Sequence, residues 1–180
     1  MASTPEGDAW PMAALPDALG GGGALEAWRL DAAVHAAGWA SGFGAERYGG
    51  RWNVRGQAAV YCSIDPATAL LEVAVHKGFR VLDTTAHVLT SLAVADPALV
   101  HVVPPEAVPN PAWLQPGIPS FGQQRFGSEL LARHGIVVLP SAVSRHSWNL
   151  VFEPRVAAGR YALKAQERFA MDTRLHPPAD

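Results

Sequence analysis

The sequence predicts an α+β domain with a mainly antiparallel or split sheet and flanking helices. At 180 residues and 49% hydrophobic, the chain can form one substantial core, whereas two domains would each have an undersized one. The predicted strands and helices do not alternate strictly, which argues against a doubly wound parallel sheet. No internal repeat with a period of about 20 to 50 residues is apparent. A single α+β domain therefore fits best.

The domain is expected to occupy residues 24–175. Residues 1–23 are rich in Pro, Ala and Gly, end in four consecutive glycines and lack periodicity. They are therefore interpreted as a flexible N-terminal extension. Residues 176–180 are interpreted as a short C-terminal tail.

The first predicted elements are two strands separated by a loop. A short strand at 27–30 places Arg29 early in the sheet, and 38–50 has the spaced glycines of a loop. The apolar run 58–63 is typical of a buried strand.

A helix is predicted to follow, from the Asp65-Pro66 start signal to about His76. Glu72 belongs to a polar stripe on this helix, beside the stripe that faces the core. The predicted apolar face comprises Ala67, Leu70, Leu71, Ala74 and Val75.

The second half of the chain is predicted to contain strands around one long helix. Residues 81–103 have the alternation of two strands, and the Pro-rich stretch 104–119 is typical of a surface loop. Ser120 can cap a helix that ends just before Gly135. Three further strands are predicted at 136–139, 148–152 and 161–171.

Composition and charge exclude several classes of function. The formal net charge is −2 with scattered basic residues, so we expect no nucleic-acid binding by the chain itself. No apolar run approaches the roughly 20 residues that cross a bilayer, and no secretory signal is apparent. The single cysteine, Cys62, cannot form an internal disulfide, and the seven histidines lack metal-site spacing. A cytoplasmic, metal-free protein is expected.

The segment 47–53 is the strongest candidate for a ligand site. It combines two arginines and a glycine pair with the aromatic side chains of Tyr48 and Trp52. Arginine suits a pyrophosphate because its planar fork donates charge-assisted hydrogen bonds. The alternative is a surface arginine or an ion pair with Glu46 or Asp31. The candidate phosphate ligands are Arg29, Arg47 and Arg51.

Three further side chains complete the candidate site. Tyr61 can stack on a flat ring, or it can be a core tyrosine with a satisfied hydroxyl. Glu72 can stabilise a cationic sugar-like transition state, as carboxylates do at glycosidic bonds. Its alternatives are a solvated helix face or a partner for His76 or Lys77. Ser141 follows a strand end, where it can bind a ligand or stabilise a turn.

A series of short motifs along residues 27–172 includes most of these candidates. They are Trp28-Arg29, Gly42-Phe43-Gly44-Ala45, Gly49-Gly50-Arg51-Trp52-Asn53, Val60-Tyr61, Leu71-Glu72-Val73 with His76, Pro140-Ser141-Ala142-Val143, and Asn149-Leu150. In this order the motifs resemble the RES domain family, the toxin component of Xre-RES toxin–antitoxin modules.

The resemblance implies a fold similar to that of ADP-ribosyltransferases. It implies an enzyme that splits the nicotinamide–ribose bond of NAD by hydrolysis or phosphorolysis and so depletes cellular NAD. NAD would then be the substrate, with inorganic phosphate as a candidate co-substrate and no further cofactor. The alternatives are a toxin that transfers ADP-ribose to a protein and an inactive nucleotide-binding module.

The resemblance also implies residue roles. The arginine, glutamate and serine for which the family is named map to Arg29, Glu72 and Ser141, with Arg51 as a competitor for the arginine. Glu72 would stabilise the cationic ribose, Tyr61 would pack near it, and Ser141 would fix a ribose or amide group. Arg29 and Arg51 would hold the phosphates. The remaining pocket candidates are Arg47, Tyr48 and Trp52.

The resemblance finally implies a partner. A cognate Xre-type antitoxin would neutralise the enzyme by occluding the pocket, and a homodimer within that complex is a further expectation. The N-terminal extension and the Pro-rich loop 104–119 depart from the short family pattern. These departures bear on how the mouth of the site is covered.

Overall fold

Seven strands and four α-helices make up the computed structural model, which describes Leu15, Asp17–Leu19 and residues 23–172. Most of the predicted N-terminal extension and all of 176–180 lie outside the described residues. The strands are β1 (Leu25–Ala32), β2 (Val60–Ser63), β3 (His87–Val94), β4 (His101–Val102), β5 (Ile136–Pro140), β6 (Trp148–Phe152) and β7 (Tyr161–Phe169). The helices are α1 (Phe43–Tyr48), α2 (Pro66–Lys77), α3 (Phe79–Thr84) and α4 (Phe121–His134).

The strands form one sheet in the order β4-β5-β6-β2-β1-β3-β7. Only the β4–β5 pair is parallel among the described strands, and the other five pairings are antiparallel. β1 pairs with β3 from Leu25↔Val94 to Ala32↔His87, but it meets β2 at a single position, Trp28↔Ser63. The sheet is therefore split between β1 and β2, which confirms the predicted mainly antiparallel, split arrangement.

Helices α2 and α4 lie on one face of this sheet, on either side of the split. Residues directly opposite each other in neighbouring strands share a face. Ser63 of β2 lies opposite both Trp28 of β1 and Asn149 of β6, and Asn149 in turn lies opposite Leu139 of β5. These four side chains therefore share one face of the sheet. Ala74 of α2 and Leu82 of α3 pack with Leu30 of β1, and α4 packs through Leu131 on Val137 and Leu139. The central strand β2 lies between the two helices.

The opposite face of the sheet carries the largest apolar cluster. This cluster consists of alternate residues of the central strands and part of β3. Trp39 and Ala40, which follow the 3-10 helix Ala33–Gly38, pack against it. Its fully buried members include Val60, Leu92, Val138, Leu150 and Phe152. This packing closes much of the opposite face, whereas the Ser63 and Asn149 side chains lie on the α2–α4 face.

Two short helices correct the sequence-based prediction. The predicted glycine loop 38–50 contains α1, and the predicted first strand in 81–103 begins with α3 instead. Both helices have six residues and follow a glycine with positive φ, Gly42 at 67° and Gly78 at 79°. Such short segments give little periodicity, so composition alone favoured loop and strand. β3 and β4 are also not neighbours in the sheet.

The inward face of α2 also differs from the prediction. Leu71 and Val75 are 38% and 61% exposed, whereas Thr68 is 4% exposed. The Asp65 carboxylate accepts the Thr68 backbone N–H at 2.7 Å and the Ser147 hydroxyl at 2.6 Å. These contacts turn the polar stripe of α2 toward the loop before β6, which half-buries Glu72.

The remaining boundaries are close to those predicted. β1 extends beyond 27–30 at both ends, and α2 starts at the predicted Asp65-Pro66 signal. Ser120 caps α4, and Gly135 follows it at φ 76°. The Pro-rich stretch 104–119 is a loop with two short 3-10 turns. Within the described part of the chain, no helix has both the length and the apolar character needed to span a bilayer.

Candidate functional site

The Glu72 carboxylate is held at one oxygen and open at the other. Oε1 accepts hydrogen bonds from Asn149 Nδ2 at 2.6 Å and from Ser141 Oγ at 3.1 Å. Oε2 accepts no hydrogen bond from the described residues. The three side chains come from α2, β6 and the residue after β5. The fold thus positions a carboxylate with one oxygen available to a ligand.

Buried partners fix the donors that orient Glu72. Asn149 and Ser141 are 7% and 3% exposed. Ser63 Oγ donates to Asn149 Oδ1 at 2.9 Å, so the amide must present its NH₂ group to Glu72. Ser141 Oγ accepts the backbone N–H groups of residues 143 and 144 at 3.2 and 3.1 Å, which leaves its proton for Glu72. The carboxylate orientation is therefore preset.

A second polar contact joins α2 to the loop that carries Ser141. Burial alone would raise the pKa of Asp65, but hydrogen bonds from Ser147 and from Thr68 outweigh it and lower that pKa. Asp65 is thus an ionised N-cap, which suits the positive end of the helix. The Ser141 backbone N–H donates to the Ser147 carbonyl at 3.0 Å. Helix and loop therefore hold Glu72 and Ser141 in a fixed relation.

The Tyr61 hydroxyl lies in a closed hydrogen-bonded corner. It accepts the Trp52 backbone N–H at 2.9 Å and donates to Asn53 Oδ1 at 2.7 Å. Burial raises the pKa of Tyr61, although the Trp52 N–H and the Arg51 charge oppose that shift. A Cβ on Gly50 would lie 2.5 Å from the hydroxyl oxygen, so this corner requires glycine. Tyr61 is a neutral, fixed phenol.

Asn53 explains why this corner is rigid. Its amide nitrogen donates to the backbone carbonyls of Ala45, Val54 and Gln57 at 2.9 to 3.1 Å. Since Nδ2 is committed to these carbonyls, Oδ1 is the atom that faces Tyr61. Asn53 is fully buried. The chain from α1 to β2 is therefore folded around this one side chain.

Arg51 is brought to the same site as Glu72 and Tyr61. Burial lowers the pKa of Arg51, while the nearby Glu72 carboxylate and Tyr61 oppose that shift. Its Nη1 donates to the carbonyls of Trp113 and Gln115 at 3.1 and 3.2 Å, and Nη2 donates to that of Gly117 at 3.1 Å. The Pro-rich loop therefore holds a guanidinium within electrostatic reach of Glu72.

Arg29 is committed elsewhere. Its Nε and Nη2 form a bidentate pair with Asp31 at 2.6 Å each, and Nη1 donates to the Tyr61 carbonyl at 2.9 Å. This is the Asp31 ion pair that the sequence left open as an alternative. Arg29 also lies near Cys62, whose burial raises the thiol pKa to about 12 while Arg29 opposes that shift. The Arg51 charge acts on Glu72, whereas the hydrogen bonds of Arg29 to described residues go to Asp31 and to the Tyr61 carbonyl.

The other predicted pocket residues are distributed differently. Trp52 is 1% exposed and packs edge-on to Phe126 at 6.4 Å between ring centroids, so it is a core residue and offers no face to a ligand. Tyr48 is 74% exposed, and the Arg47 guanidinium lies 5.4 Å from the centre of its ring. These two residues lie on the surface of α1.

Three residues that belong to the site were not identified from the sequence. Asn149 and Asn53 occur within the motifs of the resemblance, and a polar residue in an otherwise apolar strand was the available signal for Asn149. Ser63 ends its strand without any comparable signal. Within the described ranges, no group of three or more His, Cys, Asp or Glu side chains is arranged to hold a metal ion.

Comparisons with known proteins agree with this fold. The RES domain profile matches residues 26–172. A "Toxin Res" of Photorhabdus laumondii is 32% identical over 75% of this chain and 86% of its own length. A "Prs ADP-ribosylating toxin" of Sphingobium sp. is 33% identical over 71% of this chain and 81% of its own.

A solved structure confirms the architecture. A chain of the M. tuberculosis MbcT–MbcA toxin–antitoxin complex superimposes with a TM-score of 0.66 at 24% identity, over 82% of this chain and 85% of that one. The likeness shows that the two chains share one fold. The profile match covers the four helices, every residue of the Glu72 site and the sheet apart from Leu25. The chain therefore belongs to the RES domain family.

Proposed function

We propose that this protein is the toxin of a toxin–antitoxin module and that it depletes NAD by cleaving its nicotinamide–ribose bond. The observation that carries the proposal is the Glu72 carboxylate, fixed at Oε1 by Asn149 and Ser141 and open at Oε2. The names of its relatives, which are called toxins, support the cellular role.

The chemistry follows from where charge develops. When the C1′–N bond of NAD breaks, its electron pair leaves with nicotinamide and the ribose becomes cationic. A fixed carboxylate beside C1′ stabilises that charge more in the transition state than in the ground state, which accelerates the step. Oε2 of Glu72 is the atom available for this contact. Water or inorganic phosphate then forms the new bond to C1′ and releases a proton.

The neighbouring side chains supply binding. Arg51 carries the positive charge that a pyrophosphate requires and lies within electrostatic reach of Glu72. Tyr61 offers a neutral phenol ring beside the same site, fixed by Trp52 and Asn53. Ser141 and Asn149 act as positioning residues for the carboxylate. Arg29 supports the backbone of Tyr61 instead of binding phosphate.

Product identification tests the proposal. Purified protein free of antitoxin is incubated with NAD, with and without inorganic phosphate, and free nicotinamide is measured. We expect nicotinamide together with ADP-ribose or its 1″-phosphate. Glu72→Gln keeps the side-chain shape and should reduce the rate by about 10²- to 10³-fold, as expected for a preorganised charge.

A matched substitution controls for loss of charge alone. Glu129→Gln removes an exposed carboxylate of α4 that pairs with Arg125, and it should leave the rate unchanged. An inactive wild-type protein that is folded and free of antitoxin would reject cleavage. An inactive protein that still binds the nucleotide would favour a nucleotide-binding module, whereas cleavage at equal rates by wild type and Glu72→Gln would reject the role of Glu72.

Transfer of ADP-ribose to a protein is the second candidate. One relative is named an ADP-ribosylating toxin, and the same cationic ribose can be attacked by a protein side chain. NAD labelled in its adenylate half separates the two. Label that remains on protein in a lysate indicates transfer, whereas label recovered as a small molecule indicates NAD breakdown.

The proposed partner is an antitoxin that covers the Glu72 site. The structural neighbour comes from a toxin–antitoxin complex. Occlusion requires a site that reaches the surface, and Glu72 is only half-buried. An Xre-type antitoxin and a homodimer within the complex complete this part of the proposal. Co-purification with the co-expressed antitoxin, followed by loss of NAD cleavage, tests it.

A further inference from the structure

The Pro-rich loop leaves one edge of the Arg51 guanidinium unused. Its carbonyls at Trp113, Gln115 and Gly117 accept both hydrogens of Nη1 and one hydrogen of Nη2. A guanidinium has five N–H groups in one plane. The Nε–H and the second Nη2–H remain, and neither donates to a described residue. In a guanidinium, the Nε–H and the nearer Nη2–H lie side by side along one edge of the plane.

We propose that this loop positions Arg51 so that the Nε–Nη2 edge of the guanidinium receives the pyrophosphate of NAD. This inference rests on the proposed function. Two parallel N–H groups match two oxygens of a phosphate. The loop carbonyls are neutral, so Arg51 keeps its full charge for the ligand. The loop segment 113–117 thus acts through Arg51 and need not touch the substrate.

The loop is anchored independently of Arg51, so it can serve as the fixed partner. The Trp113 ring packs on Phe126 of α4 at 5.9 Å between centroids. The carbonyl of Trp113 also accepts Gln123 Nε2 at 3.0 Å, and Gln123 is 2% exposed. A long arginine side chain loses much rotamer freedom on binding. Holding it in advance lowers the entropic cost of binding an anion.

Two loop variants and a control test the proposal. Trp113→Ala removes the anchor, whereas Gly117→Ala disturbs the backbone at φ 153° without creating a contact within 4 Å. Each should weaken ADP-ribose binding, measured by calorimetry, by roughly tenfold, since a charge-assisted hydrogen bond is misaligned. Ile118→Ser, in the same loop at 98% exposure, should not change the affinity. Circular dichroism verifies that each variant is folded.

A double-mutant cycle distinguishes positioning from a general structural role. Arg51→Met alone should weaken ADP-ribose binding by roughly 10²-fold, as expected for a lost charge-assisted pair. If the loop acts through Arg51, Trp113→Ala and Gly117→Ala should cause no further loss in the Arg51→Met background. Additive losses, or loop variants that bind ADP-ribose as the wild type does, would overturn the proposal.

The outcomes separate this inference from the proposed function. A wild-type protein that binds ADP-ribose and obeys the cycle but releases no nicotinamide rejects NAD cleavage and retains the role of the loop. A protein that cleaves NAD but shows additive losses retains the function and rejects the loop. Failure of the wild type to bind ADP-ribose rejects the role of the loop, and nicotinamide release then decides on NAD cleavage separately. Hydrogen exchange should also show slower exchange in 113–117 when ADP-ribose is bound.

Discussion

Arg29 lies on β1 and Arg51 in the loop between α1 and β2, and the surroundings of the two guanidinium groups are opposite. Arg29 meets a carboxylate in a bidentate pair with Asp31, whereas Arg51 meets three neutral carbonyls of a distant loop. A paired guanidinium has little charge left for a ligand. One held by carbonyls keeps both its charge and a free edge. The partner of an arginine therefore decides its role more than its place in a motif does.

The largest expected difference between the two regions is in substrate use. Arg51→Met should lower kcat/KM for NAD by about 10²- to 10³-fold because it removes a preorganised cation from the site. Arg29→Met should lower it by less than about tenfold once the rate is corrected for the folded fraction, since the hydrogen bonds of Arg29 to described residues go to Asp31 and to the Tyr61 carbonyl. Nicotinamide release measures both. A larger loss for Arg29→Met would reverse the assignment.

Gly50 tests the corner that fixes Tyr61 beside Arg51. In Gly50→Ala the added Cβ would lie 2.5 Å from the Tyr61 hydroxyl and 2.6 Å from Asn53 Oδ1. We expect a loss of about 2–3 kcal/mol in the free energy of unfolding, together with reduced NAD cleavage. Urea denaturation and nicotinamide release measure the two effects.

Gly44 provides the control for this substitution. It lies in helix α1, and an added Cβ would have no atom within 4 Å. Gly44→Ala should stabilise the protein by up to about 1 kcal/mol through helix propensity and leave activity unchanged. A Gly50→Ala protein as stable and active as Gly44→Ala would contradict the described corner.

The free energy of unfolding should depend more on Arg29 than on Arg51. Arg29→Met leaves the Asp31 carboxylate, which is 8% exposed, without its ion-pair partner. We expect the free energy of unfolding to fall by about 2 kcal/mol. Adding Asp31→Asn should recover about half of it. Arg51→Met strands no carboxylate and should cost about 1 kcal/mol. Equal losses in urea denaturation would count against the comparison.

The smallest expected effect is a loss of stability at alkaline pH. It involves two buried groups that can lose a proton, the Cys62 thiol near Arg29 and the Tyr61 hydroxyl near Arg51. Burial raises the pKa of Cys62 near Arg29 to about 12 and also raises that of Tyr61 near Arg51. A raised pKa contributes stability that is present below the unfolded pKa, near 9 for the thiol, and is lost as pH rises toward the folded value.

The pH dependence can be assigned with conservative variants. Between pH 8 and 10 the thiol should account for a loss of about 1 kcal/mol. Cys62→Ala should lack that part of the slope, and Tyr61→Phe should lack a smaller part that begins closer to pH 10. Urea denaturation across this range measures both. A slope of opposite sign would mean that the two groups ionise more readily in the folded state.

Local signals predicted much of the fold. The Asp65-Pro66 start of α2, the Ser120 and Gly135 ends of α4, and the split antiparallel sheet are all present in the structure. The helix ends depend on residues that are adjacent along the chain, whereas the sheet was inferred from the lack of strict alternation between strands and helices. The six-residue helices α1 and α3 were not predicted, because so short a segment has no measurable periodicity.

The choice between the arginines could not be predicted from the sequence for a related reason. The carbonyls that hold Arg51 come from residues 62 to 66 positions later in the chain, and a backbone carbonyl has no sequence signature. Asn149, 77 positions from Glu72, is likewise linked to it only in three dimensions. By contrast, the Asp31 partner of Arg29 is two residues away and was visible as an alternative.

A crystal structure of the Glu72→Gln variant with NAD tests the central claim most directly, because the substitution slows turnover while preserving the shape of the site. The account predicts C1′ of the nicotinamide ribose beside the side-chain position of residue 72, and a phosphate on the Nε–Nη2 edge of Arg51. The Arg29–Asp31 pair should remain intact. NAD phosphates bound to Arg29, with Arg51 still contacting only the loop carbonyls, would contradict it.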